Sequence, residues 1–195
     1  YVHADVIGSF TDAVVGRVDA LRAGNGLEAG SDMGPLINRR GFEKVSRQVR
    51  DALDRGAKRL VGDDPAWPGQ DWGTFFPPTV LTGITPEMEI CREETFGPVV
   101  AIAEFRDEEN VISLANSTAY GLAAYVFTGD DECADRVISR LRFGHVGLNT
   151  GTGPTPEAPF GGVKLSGYGR EGGREGLLEY CESQVVAEHC EEGVG

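Results

Sequence analysis

Short apolar runs that alternate with capped amphipathic stretches predict an α/β fold, a mainly parallel sheet with flanking helices, because strand–helix–strand order closes as right-handed crossovers. Two further observations narrow this. Composition is globular, 40% apolar and 25% charged, and ten of the 28 glycines fall between residues 144 and 173. Such a cluster marks one long Gly-rich loop whose backbone can come close to a ligand, not a packed interior. With 195 residues the chain can bury roughly 70% of its unfolded surface, which suits one domain or slightly more.

In chain order, Tyr1-Val2-His3 reads as the tail of a strand. The chain opens without an initiator, its first methionine being Met33, and so reads as a piece of something longer. Asp5 is the expected cap of a helix with Ile7, Phe10, Val14, Val18 and Leu21 on one buried face and Gly24 closing it. Asn38 caps the next, where Phe42, Val45, Val49 and Leu53 form a stripe ended by Gly56. Arg59 to Val61 is a short strand, and Asp63 to Gly73, with Pro65 and Trp67-Pro68-Gly69, a surface excursion. Thr74 to Leu81 is extended but carries Pro77-Pro78, which confines it to an edge or to a path outside a sheet.

Val99 to Phe105 is the strongest strand signal. Asp107 caps a helix bearing Val111, Leu114 and Ala115, with Glu108 and Glu109 at the positive end of its dipole. Leu122 to Phe127 is a strand. Asp130 caps a helix with Val137, Ile138 and Leu141 inward and Gly144 as its stop, and Val146 to Asn149 is a further strand. After the glycine loop, helix signals return at Arg174 to Cys181, and Ser183 to Ala187 reads as a last strand free to pair outside its own domain.

Charge and cysteine usage exclude several classes. The net charge of −13, from 18 basic and 31 acidic residues, argues against a nucleic-acid surface, which needs clustered Lys and Arg. No apolar run approaches membrane-spanning length and no secretion signal opens the sequence. Cys91, Cys133, Cys181 and Cys190 form no C-x-x-C pair and have no histidine at ligand spacing, so neither zinc nor a disulfide framework is indicated, and a reducing cytoplasm is expected.

Each chemical constellation has an ordinary reading beside it. Gly167-Tyr168-Gly169-Arg170-Glu171-Gly172 matches G-x-G-x-x-G, but Val163 to Ser166 is a weak strand and too little chain follows for a dinucleotide unit. A turn-rich lead-in to the last helix accounts for it. His3, His145 and His189 lack any nucleophile elbow nearby and read as strand or surface histidines. Cys91 has Arg92 beside it, which would lower a thiol pKa, and two adjacent carboxylates, which oppose thiolate formation; it reads as a small half-buried residue. Glu93 and Glu94 precede an apolar strand. Spacing alone allows a solvated acidic turn, whereas in an extended segment the two side chains diverge, so at most one enters a cleft and they make no glycosidase pair.

The wording around those acids adds a further reading. Glu93-Glu94-Thr95-Phe96-Gly97-Pro98-Val99, followed roughly sixty residues later by Ala158-Pro159-Phe160-Gly161-Gly162-Val163-Lys164 and Gly167 to Gly173, resembles the C-terminal part of the aldehyde dehydrogenases. The resemblance covers nearly the whole chain, and Gly24 to Gly30, Gly34-Pro35-Leu36-Ile37-Asn38 and Val146 to Gly151 look most like succinate-semialdehyde dehydrogenases. It implies an incomplete catalytic domain of that family over residues 1–173, then a closing helix and oligomerisation strand with its tail over 174–195. The implied reaction is oxidation of an aldehyde, succinate semialdehyde or similar, to the carboxylic acid with NAD or NADP.

Carried over by motif, Glu94 matches the glutamate that takes both hydroxyls of the nicotinamide ribose, and Phe96 the aromatic beside the nicotinamide. Lys44 lies near a coenzyme contact, with a departure from the family pattern at Gly41. Phe160 matches an aromatic wall of the substrate tunnel. Thr155, flanked by Pro154 and Pro156 where the family wording differs, stands where a hydroxyl would face the substrate carboxylate. The nucleophilic cysteine, the oxyanion donors, the deacylating glutamate and most of an N-terminal coenzyme domain are expected upstream of Tyr1, so the chain alone is expected to be inactive. The groups that choose between NAD and NADP belong to that missing part. Residues 183–188 are expected to join a homo-oligomeric sheet. The competing reading is a free-standing, non-catalytic interaction domain whose last strand recruits a partner by edge pairing.

Overall fold

A computed structural model describes residues 1–64 and 73–189. Most of the surface excursion expected at 63–73 and Cys190 lie outside the described residues. The chain divides into two units, Tyr1–Thr118 and Ala119–Gly195.

In the first unit β1 (Val2–His3) leads into α1 (Ile7–Val18), and α2 (Arg39–Asp54) follows a Gly-rich connection. Asn38 caps α2 as its residue type demands: its backbone is extended and its Oδ1 accepts the Gly41 N–H at 2.8 Å. Phe42, Val45, Val49 and Ala52 are buried along one side, with Phe76 meeting Phe42 edge-on at 5.6 Å and Leu81, Ile84 and Met88 completing the core. Gly56, at φ +98°, follows the helix as expected of a C-terminal glycine.

Two expectations for α1 are corrected. The N-cap residue is Val6, without a side-chain cap bond, because the Asp5 carboxylate lies toward His3, 3.6 Å from its Nδ1. Nor is one face buried: the helix ends before Leu21, no residue of it is buried, and Phe10 is 45% exposed. The core of this unit is built on α2, and α1 stands at its margin.

The strands β2 (Lys58–Val61), β3 (Thr79–Thr82) and β4 (Val99–Ile102) form a sheet in the order β2-β3-β4. β3 runs antiparallel to β2 and parallel to β4, in register from Thr79↔Val99 to Thr82↔Ile102. β3 is therefore central, against the edge position that Pro77-Pro78 had implied. Both prolines precede its first ladder residue, so no pairing N–H is lost; Thr79 N already donates to Pro98 O at 2.9 Å. The predicted run from Val99 to Phe105 breaks at buried Ala103, after which β5 (Glu104–Phe105) pairs in parallel with β1. α3 (Glu108–Asn116) is capped by Asp107, whose Oδ1 accepts from Asn110 N at 2.7 Å, and its buried residue is Ile112.

In the second unit β6 (Tyr120–Gly121) precedes β7 (Ala123–Val126), α4 (Asp131–Ile138) and β8 (His145–Leu148), and β7 and β8 pair in parallel around the α4 crossover. Asp130 Oδ1 accepts from both Glu132 N and Cys133 N, the expected cap. The helix ends at Ser139, before Gly144. β9 (Val163–Lys164) pairs antiparallel with β6, and α5 (Gly173–Leu178) closes the unit. Ser183 to Ala187 forms no strand; Val185 and Val186 are 91% and 81% exposed. Among the described residues the architecture is mixed α/β, with parallel pairs in three of four small sheets instead of one continuous parallel sheet.

Candidate functional site

The residues singled out in the first unit meet on one face of α2. Lys44, Arg47 and Gln48 recur at helical spacing and point toward the segment from Glu89 to Pro98. Lys44 Nζ donates to the carbonyl of Glu94 at 2.8 Å, and Gln48 Nε2 to the carbonyl of Glu93 at 3.1 Å. Arg47 binds Glu89 at 2.8 Å and Glu93 at 3.1 Å. A Cβ on Gly97 would stand 2.6 Å from Val45 Cγ2, so this position must lack one for the segment to rest on the helix. Phe96, at φ +50°, turns the chain there through a left-handed conformation that a non-glycine residue adopts at a cost of about 1 kcal/mol.

These bonds divide the two acids, although Glu93 is not extended as expected: it sits in a bend, its N–H bonded to Glu89 O at 3.0 Å. Glu93 is drawn onto Arg47, whereas the Glu94 side chain is exposed and has no ion pair or hydrogen bond among the described residues. The carboxylate is open to solvent rather than enclosed, and Phe96 is 79% exposed. Next to them lies a cavity of about 410 Å³ walled by Met33 to Leu36, Phe76, Gly97 and Pro98. Lys44 is thus a strut to the Glu94 backbone; an ammonium has three donors, which leaves it capacity for a ligand. Gly41 contributes its N–H to the Asn38 cap.

Electrostatics fix the base of the segment. Hydrogen bonding to Arg55 and to the Glu89 N–H holds the Asp51 carboxyl below its ordinary range, and Arg47 does the same for Glu89. Burial pushes the Cys91 thiol up, against the pull of the amino-terminal ammonium and of Arg92, which disfavours the thiolate form. Cys91, Cys133 and Cys181 form no disulfide among the described residues. No group of metal-ligating side chains occurs among the described residues, and no helix there is long and apolar enough to cross a membrane.

In the second unit Phe160 is anchored by its backbone, which exchanges bonds of 2.7 and 2.8 Å with Glu171. Its ring packs edge-on against His145 at 5.9 Å, and His145 in turn against Tyr125 at 6.0 Å. Thr155 is exposed in the same loop, its carbonyl accepting from Ala158 N at 3.2 Å. The glycines here bring backbone onto backbone: a Cβ on Gly144 would fall 1.7 Å from Gly161 O. Gly167 to Gly172 makes turns into α5, as the ordinary reading of that motif held.

Three participants escape a motif-based reading. Gln48 is a fully buried polar residue within the apolar stripe of α2, and that interruption is the signal that would have found it. Arg47 carries no such mark. His145, expected to be an ordinary strand histidine, backs the Phe160 ring.

Comparison with known proteins gives one consistent result. A family model described as "Aldehyde dehydrogenase family" matches residues 1–186. A relative named aspartate-semialdehyde dehydrogenase (non-phosphorylating) from Halomonas elongata is 47% identical over 94% of this chain and 36% of its own length. One named probable succinate-semialdehyde dehydrogenase [NADP(+)] from Sinorhizobium fredii is 40% identical over 95% of this chain and 37% of its own. Among solved structures, an oxidoreductase from Marinobacter aquaeolei superposes with a TM-score of 0.89 at 55% identity, over 94% of this chain and 38% of that one. A betaine aldehyde dehydrogenase from Staphylococcus aureus in complex with NAD+ gives 0.82 at 40% identity, over 91% and 36%. The chain therefore spans somewhat more than a third of the length of these proteins.

Proposed function

Because the chain belongs to the aldehyde dehydrogenase family, we propose that it is the working C-terminal part of an NAD(P)-dependent enzyme that oxidises an aldehyde, succinate semialdehyde or a similar semialdehyde, to the acid. Residues 1–173 serve its catalytic domain, and 174–195 its closing helix and oligomerisation strand. The nucleotide, when bound, supplies a hydride acceptor. The residues of this chain do the positioning.

Glu94 carries the proposal. Its carbonyl and that of Glu93 are fixed by Lys44 and Gln48, while its carboxylate remains free, exposed and acceptor-only. Such a group fits a ribose diol, receiving both O–H bonds at once. Phe96 offers a ring face beside it on a bent backbone, and remaining Lys44 donors face the same coenzyme. Phe160, braced by His145, walls the substrate channel, and the Thr155 hydroxyl faces the carboxylate of a semialdehyde. The nucleophilic cysteine, the oxyanion donors and the deacylating base come from the remainder of the enzyme, in a reducing cytoplasm. Residues 183–188 pair with another subunit.

In the full-length enzyme, Glu94→Gln is expected to lower kcat/KM by about 10- to 100-fold, the value of one or two charge-assisted bonds, with the unfolding midpoint unchanged. The 195-residue chain by itself is expected to oxidise no aldehyde. Unaltered turnover in Glu94→Gln removes the role assigned to that residue, and turnover by the chain alone refutes the division of labour.

A further inference from the structure

Gln48 stands in the apolar stripe of α2, beside Val45 and Val49, and is fully buried. Its Nε2 donates to the Glu93 carbonyl at 3.1 Å, while its Oε1 is hidden from solvent without a hydrogen-bond partner among the described residues. One neutral bond returns little net stability, whereas an unpaired buried acceptor carries the whole loss of its hydration, so this amide costs the fold more than it returns. A methionine of the same length would fill the space without that loss. The stability of α2 gives no reason for an amide here; the carbonyl it holds does.

The Glu93 carbonyl and the Glu94 N–H share one planar peptide unit, and the Glu94 carbonyl belongs to the next. Gln48 holds the first of these planes, and Lys44 the second at 2.8 Å. With both planes pinned, φ and ψ of Glu94 are set and its Cα–Cβ bond has one direction. Arg47, which binds the Glu93 side chain, is 55% exposed, and Lys44 is partly exposed, so water competes for their bonds. Gln48 is closed to it. We propose that Gln48 is a positioning residue for the coenzyme: its amide, kept at the expense of the fold, aims the Glu94 carboxylate at the ribose diol through the peptide between them. This deepens the reading of Glu94 as the ribose grip and rests on it. Without the amide, the carbonyl of the exposed Glu93 turns to water, the peptide plane rotates, and the carboxylate spreads over several directions.

The test is Gln48→Met, alone and combined with Glu94→Gln, in the full-length enzyme, by steady-state kinetics with urea unfolding of the same variants. Gln48→Met is expected to raise the KM for the coenzyme about three- to tenfold, the value of one neutral hydrogen bond, and to leave the KM for the aldehyde as it was. In the Glu94→Gln background the same change is expected to alter the coenzyme KM by less than about twofold, because a residue that acts through Glu94 has nothing left to aim. The urea midpoint of Gln48→Met is expected to equal or exceed that of the unsubstituted enzyme. A lowered midpoint shows that the amide serves packing and overturns the proposal. So does an unchanged coenzyme KM, or a rise equally large in the Glu94→Gln background. Unaltered turnover in Glu94→Gln itself removes the ribose-grip reading, and this inference with it; a loss in Glu94→Gln beside a silent Gln48→Met refutes this inference alone.

Discussion

Replacing Gly97 by alanine tests whether the acidic segment is seated on α2. Gly97 has no positive φ, so alanine meets no backbone penalty there and the effect is steric alone. The new methyl would lie 2.6 Å from Val45 Cγ2 and 3.3 Å from Cγ1, against an ordinary carbon–carbon contact of about 3.5–4.0 Å. Val45 is fully buried and β-branched, so it has no other rotamer to retreat to. The segment must lift by roughly 1 Å, at the about 1–3 kcal/mol typical of overpacking. With a urea dependence near 2 kcal/mol/M, the midpoint falls by roughly 0.5–1.5 M. Val45→Ala alone opens a small void and costs about 1.5–2.5 kcal/mol. Combined, the two fit, because the added methyl occupies the space vacated, and a coupling energy of about 1–2 kcal/mol in favour of the pair is expected. Amide exchange at Thr79, whose N–H is held by Pro98 O, follows the same order. Additive losses would show that the segment does not rest on Val45.

Acid should loosen the first unit through Asp51 and Glu89. Both carboxyls titrate lower in the folded chain, so the stability they contribute is complete above their unfolded pKa values and is lost as pH falls below about 5; Asp51→Asn should flatten the urea midpoint between pH 7 and 4. Asn38→Ala removes the acceptor of the Gly41 N–H and should cost about 1 kcal/mol by thermal melting, with Asn38→Asp restoring most of it. Deleting residues 183–195 should leave the melting of the chain unchanged, since 183–187 forms no strand and is exposed among the described residues, while lowering the solution mass of the full-length enzyme; an unchanged mass removes the oligomerisation role.

Legibility followed the range of the interaction concerned. Asn38, Asp107 and Asp130 were readable as caps because the bond each makes reaches only two or three residues along the chain. Asp5 failed for a reason equally local: His3 competes for it. The break at Ala103 was not readable, because it depends on β4 and β5 finding partners in β3 and β1, remote in sequence. Pro77-Pro78 misled only by extending their influence past Thr79. In the site, Glu94, Phe96, Lys44, Phe160 and Thr155 came from motif wording, and Lys44 does meet the Glu94 backbone. The part played by Gln48 needed coordinates, since which carbonyl a buried amide serves is a matter of packing.

The two carbonyls beneath the acids hang from successive turns of a helix rather than from neighbouring loops. The aim of Glu94 is therefore stored where nothing reacts, in the fit of Phe42 and Val45 along the buried side of the same rod, which Gln48 shares. A change of a single methylene there would tilt the rod and swing the carboxylate with it. Reach toward a bound sugar can in this way be retuned from inside the core, leaving every group that touches the sugar as it was.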